Sequence, residues 1–153
     1  GINSGSKFMI PCVDLTEALA EKLITFPRRL ALSIAETDEK IDASLVRHLY
    51  DVYQIIQKNP SILSTKLSLL SSLVNQVIQK DMVDFANQHS AFVTDPLGEI
   101  YKAMEYAGSN PNTKDTYDQF IKVMVYAKNG PSFEEAFSQF YQTIKLTLPD
   151  IYH

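Results

Sequence analysis

The chain has 153 residues, 45% of them apolar and 21% charged, and at that size roughly 70% of the unfolded surface becomes buried, enough for one self-sufficient core. Its net charge of −4 argues against a dedicated nucleic-acid binder, while leaving room for a local basic patch. The single cysteine, Cys12, excludes an internal disulfide, and no apolar run is long enough to span a bilayer.

The first residues, "GINSGSKF", lack the features of a signal peptide, so a cytoplasmic location without membrane contact is expected. The chain does not begin with methionine, which is expected of a processed chain or one cut from a longer protein. "KFMIPCV" (7–13) is short and apolar with Pro11 near its end, and reads as an edge strand. Asp14 with Glu17 three positions later resembles a capping box, opening a helix over "LTEALAEKLITF". Pro27 is expected to kink or end that helix, or to start another through "RRLALSIAE".

"TDEKID" (37–42) reads as a charged loop in which Asp42 caps the next helix, "ASLVRHLYDVYQIIQK". Asn59 and Pro60 make a cap and first-turn pair for the next segment. Residues 62–88 carry one long helix or two short ones, and "HSAFVT" (89–94) is loop-like. Asp95-Pro96 starts another helix, and "GSNPN" ends it. A helix over "TKDTYDQFIKVMVYA" comes after it, and Ser132 with Glu135 forms a capping box for the last. The expected fold is mainly α: a bundle of six or seven helices preceded by one short β-strand.

Two of these helices spend unusual positions on charge. "AEKLITFPRR" (20–29) sets Lys22, Arg28 and Arg29 beside residues that ask for burial, and "LVRHLYDVY" (45–53) threads Arg47, His48 and Asp51 through an apolar stripe. Lys22 and Arg29 are seven apart, on nearly one face if the helix survives Pro27, and Arg47 and Asp51 are four apart. The plain reading is an intrahelical Arg47–Asp51 pair worth a few tenths of a kcal/mol beside a solvated basic face. The sharper reading is an anion site, with lysine as a point charge for phosphate, arginine as a planar fork, and a carboxylate to hold Mg²⁺ or accept a proton.

Nothing else rises as far. The chain has no phosphate-binding glycine loop, no H-E-x-x-H and no zinc spacing, and His48, His89 and His153 are scattered. "DMVD" (81–84) and "DTYD" (115–118) read as polar helix faces, and Phe133, Phe137, Phe140 and Tyr141 as core.

The order of segments resembles a known family. An apolar strand, then E-x-x-A-x-K-L at Glu17–Leu23, paired arginines, a charged loop and "LVRHLYDV" look like the C-terminal half of the AbiEii-type nucleotidyltransferases, toxins of type IV toxin–antitoxin and abortive-infection systems. The likeness continues in "KDMVDFANQHS", "DPLGEI", "YDQFIKVMVYA" and "PSFEEAF", and so covers the chain from about Phe8 onward.

The resemblance implies a nucleotidyltransferase core with a G-S…D-x-D metal signature, followed by a helical domain. It implies transfer of a nucleotidyl group from a nucleoside triphosphate with Mg²⁺, in some members to the acceptor end of tRNA, and an antitoxin protein as partner. Carried onto this chain, residues 1–13 would be the last strand of that core's sheet, and 14–153 the helical domain. Lys22 would contact the triphosphate and Asp51 would be a catalytic-site residue. Arg47, Arg28, Arg29 and His48 would bind phosphate. No residue of this chain is assigned to a metal.

The chain contains no D-x-D, and "SGS" (4–6) is not followed by the required carboxylates. The expectation is therefore a fragment that is inactive alone, with an edge strand that could pair with a second copy into a homodimer. Two other functions compete: a non-catalytic helical module that binds a protein, and a basic-patch RNA-binding module, which the overall acidity disfavours.

Overall fold

A computed structural model of the chain describes residues 12–36, 41–124 and 130–149. They fold into α1 (Cys12–Ala35), α2 (Ala43–Lys58), α3 (Ser61–Thr65), α4 (Leu67–Asp84), α5 (Ser90–Thr94), α6 (Pro96–Ser109), α7 (Pro111–Met124) and α8 (Phe133–Thr147). The fold is mainly α, as expected, with eight helices and no strand among the described residues rather than a strand and six or seven helices. Residues 7–11 of the expected strand lie outside the described residues. Its last two, Cys12 and Val13, are helical, so α1 is already under way before Asp14.

α1 is the central element, packed against α2, α4, α6 and α8. Leu19, Leu23, Ile24, Phe26 and Leu30 recur at helical spacing along it and are all fully buried. Each such side chain contributes about 1.5–3 kcal/mol on leaving water. Phe26 meets Phe140 of α8 edge to face, with ring centroids 5.3 Å apart.

Of the outcomes expected at Pro27, an end to the helix or a new start is not what occurs: α1 continues through it. An interior proline costs about 3 kcal/mol, because the carbonyl four residues back loses its donor. The buried stripe runs straight through it, from Leu23 to Leu30 and Ala31, and packing both halves against neighbouring helices offsets that cost. The unbroken helix is what keeps Lys22 and Arg29 in one register.

Where capping chemistry is strong the helix starts fall as the residues dictate. Asp42 Oδ1 accepts from the Leu45 amide at 2.9 Å and from the Ser44 hydroxyl at 2.8 Å, opening α2. Asp95 accepts from the Gly98 amide at 3.1 Å, opening α6. The reciprocal Ser132–Glu135 box opens α8. Ser132→Ala should cost about 1 kcal/mol, seen as a melting temperature lower by about 2–4 °C.

Two local expectations are corrected, at Asn59 and at "HSAFVT", and one left open is decided. Asn59 turns back rather than capping forward: its side-chain amide donates to the Ile55 carbonyl, closing α2. The 62–88 segment is two helices, broken at Lys66. "HSAFVT", expected as loop, holds the short helix α5, tied down by the fully buried Phe92. The aromatics of α8 pack inward as expected: Phe133 and Phe140 are buried, and Phe137 and Tyr141 lie against the core. Tyr117 of α7 joins them, its hydroxyl donating to the Pro131 carbonyl at 3.0 Å, and burial pushes its phenol well above the usual range.

Candidate functional site

Lys22 sits one position before the buried Leu23, and Asp51 one before the buried Val52. Each therefore lies at the margin of its helix's apolar stripe, and packing α1 against α2 brings the two margins together. Lys22 Nζ donates to Asp51 Oδ2 at 3.0 Å, joining residues 29 apart in sequence. Arg47 Nε lies 3.6 Å from the same oxygen, four residues away along α2. The local Arg47–Asp51 pair of the plain reading thus exists, but a second helix supplies the shorter contact. These groups remain wet: the Lys22, Asp51 and Arg47 side chains are 29%, 21% and 56% exposed.

Two turns beyond Lys22, about 10 Å along the helix, Arg29 extends the positive face toward the start of α2, where the Ser44 hydroxyl, then the Leu45 amide and the Arg29 charge, hold the Asp42 carboxyl below the usual range against its partial burial. His48 lies among these groups. Burial, then the charges of Lys22, Arg29 and Arg47, depress its imidazole to about 4 against the opposing pull of Asp51. Its Nδ1 is buried without a hydrogen-bond partner. Three cations thus face one carboxylate around a neutral ring, in a chain whose net charge is −4. Of the six site residues named from the sequence, the structure brings together Lys22, Arg29, Arg47, His48 and Asp51.

Arg28 is not brought there. One residue round the helix from Arg29, it faces α4, where its Nε donates to Asp81 Oδ2 at 3.0 Å and its guanidinium carbon lies 3.8 Å from the centre of the Phe85 ring. Both residues of this pair are 8% exposed. Asp81 is therefore not part of a polar face, as "DMVD" suggested. Burial raises its carboxyl above the ordinary range, against the lowering pull of Arg28. The signal was present in the spacing: Leu70, Val74, Ile78 and Asp81 follow one buried stripe of α4, with Phe85 just past its end, so a carboxylate there needs a buried partner. Asp84 does keep to the exposed face, paired with Lys80, and Asp118 of "DTYD" pairs with Lys114 at 3.1 Å.

A divalent metal fits the described residues poorly. No group of three His, Cys, Asp or Glu side chains converges among them. The one carboxylate of the cluster is held by Lys22 and Arg47, so no chemical step is routed through a metal here. His89 belongs elsewhere, buried with its Nε2 3.3 Å from Glu99 Oε1, and His153 lies outside the described residues.

No helix among the described residues is long and apolar enough to cross a membrane. No curated protein and no solved structure matches the chain significantly. Comparison with protein families does find a match, to the nucleotidyl transferase AbiEii toxin of type IV toxin–antitoxin systems, over residues 2–139. With that match spanning the charged cluster and nearly all of the bundle around it, the chain belongs to the AbiEii nucleotidyl transferase toxin family.

Proposed function

We propose that the α1–α2 face is the helical side of a nucleotidyltransferase cleft, with Lys22 and Asp51 as its catalytic-site pair and Arg29, Arg47 and His48 as phosphate-binding groups. The single observation that carries this reading is Asp51 Oδ2 shared by Lys22 and Arg47 across two helices, with a surplus of positive charge around it. In nucleotidyl transfer an acceptor oxygen attacks the α-phosphorus and pyrophosphate leaves. Cations fixed beside the β- and γ-phosphates stabilise the charge that grows on that leaving group. Asp51 holds the Lys22 ammonium and the Arg47 guanidinium in place while they wait, so little reorganisation is needed when phosphate arrives.

Arg28 has no share in this site; its role is to lock α1 onto α4. The family membership supports a nucleoside triphosphate as donor, an antitoxin protein as partner and a cytoplasmic setting. A tRNA end as acceptor and Mg²⁺ as cofactor are further parts of the proposal. The D-x-D carboxylates that would hold Mg²⁺ do not occur in these 153 residues. The chain by itself is therefore expected to yield no labelled product with NTP, Mg²⁺ and tRNA, and robust labelling would overturn that part.

The direct test is a titration with ATP, GTP, CTP and UTP followed by amide chemical shifts. Perturbations should centre on Lys22, Arg29, Arg47, His48 and Asp51, with weak affinity. If millimolar nucleotide shifts nothing, or shifts residues scattered elsewhere, the cluster is a solvated face and the chain is better read as a protein-binding helical module.

A further inference from the structure

His48 is the one member of the cluster whose charge can change near neutral pH. It lies on α2 between Arg47 and Asp51, and α1 presents Lys22 and Arg29 to it. The other helices packed on α2 meet a different side. α7 reaches Tyr50 through Phe120, and α8 lines a groove with Tyr53 and Glu135; those tyrosines lie far round the helix from His48.

The ring's Nδ1 is enclosed and unpartnered, although a buried imidazole nitrogen ordinarily finds a partner. Nearby cations can offer it only donors, which suits an unprotonated nitrogen and disfavours an N–H. A polyphosphate docked on Lys22 and Arg47, whose side chains reach solvent, and on Arg29 changes that field. Its negative charge offsets the three cations and so favours a proton on the ring.

Resting on the cleft reading above, we infer that His48 binds phosphate as a proton-coupled fourth cation, taking up one proton when a polyphosphate docks between α1 and α2. The proton comes from solvent and stays on the ring while the anion is bound. In the empty site the imidazole titrates at about 4, chiefly through burial and then the neighbouring cations. Bound phosphate raises that value, so the complex holds more protons than its separate parts. Affinity then increases as pH falls through the bound-state value, and levels off below about 4, where the empty site is protonated as well. If the bound ring regains its ordinary value of 6.5, affinity rises about tenfold between pH 7.5 and pH 5.5.

Inorganic tripolyphosphate is the probe, added to the full 153-residue chain and to His48→Asn. The His48 ring Cε1 proton is followed by NMR across pH, with and without the anion, and affinity is measured at both pH values. The His48 midpoint should rise on saturation from about 4 to near 6.5. The parent chain should also gain about tenfold more affinity on acidification than His48→Asn, since the anion's own titration is common to both. If Lys22, Arg29 and Arg47 respond to the anion while the His48 midpoint stays near 4, or the two chains gain equally, proton coupling is wrong and the cleft reading stands. If the cluster does not respond at all, the cleft reading fails and this inference falls with it.

Discussion

Arg28→Ala should destabilise the chain by about 3–5 kcal/mol, while Arg29→Ala, one residue on, should change its stability by no more than about 0.5 kcal/mol. Removing Arg28 strands the Asp81 carboxylate in a largely dry site and takes away the guanidinium that covers Phe85. It also loosens α1 from α4 within a turn of Pro27, where α1 already lacks a backbone donor. Among the described residues Arg29 has no comparable buried partner to abandon. Its loss should appear instead as weaker phosphate binding.

Thermal unfolding followed by circular dichroism separates the two variants: a drop on the order of 10 °C for Arg28→Ala and almost none for Arg29→Ala. Equal drops would refute the division of labour. The deficit of Arg28→Ala should also shrink in acid. The folded Asp81 carboxyl binds its proton more tightly than the unfolded one, so the stability it adds is fully present below the unfolded value of 3.8. That stability is lost as pH rises through the folded value, which removal of Arg28 pushes higher still.

Lys22→Ala and Asp51→Ala should each lower nucleotidyl transfer by about 10²–10³-fold, in a nucleotidyltransferase that carries these helices together with a G-S…D-x-D core. Each should abolish toxicity there. Neither should unfold the bundle, because an ion pair this exposed contributes no more than about 1 kcal/mol. The double variant should be little worse than either single one if, as proposed, Asp51 acts by holding Lys22 and Arg47 where the leaving group's charge grows. Steady-state transfer measured beside melting temperature distinguishes this from a structural role. A variant that keeps full transfer, or that loses transfer only by unfolding, removes its residue from the site.

Much of the site was legible because it depends on local spacing. Seven residues separate Lys22 from Arg29 and four separate Arg47 from Asp51, so each pair shares a helix face whatever the bundle does. Arg28 and Arg29 were indistinguishable by the same token. Both are arginines beside an apolar stripe, and a 100° step round the helix decides which neighbour each one meets. The unpartnered nitrogen of His48 was likewise invisible, because enclosure is a property of packed neighbours rather than of a residue type.

The amino-acid sequence alone determined a helical domain, the capped starts at Asp42, Asp95 and Ser132, and the short list of charged residues that bears the family resemblance. Those are set by interactions within a few residues, which any chain with this order must make. Tertiary packing decided that α1 runs through Pro27, that Lys22 reaches Asp51, and that Arg28 is spent on Asp81. Each of these balances a local cost, a proline in a helix or a charge taken from water, against the burial of apolar surface between helices distant in sequence. That balance exists only once the helices have met.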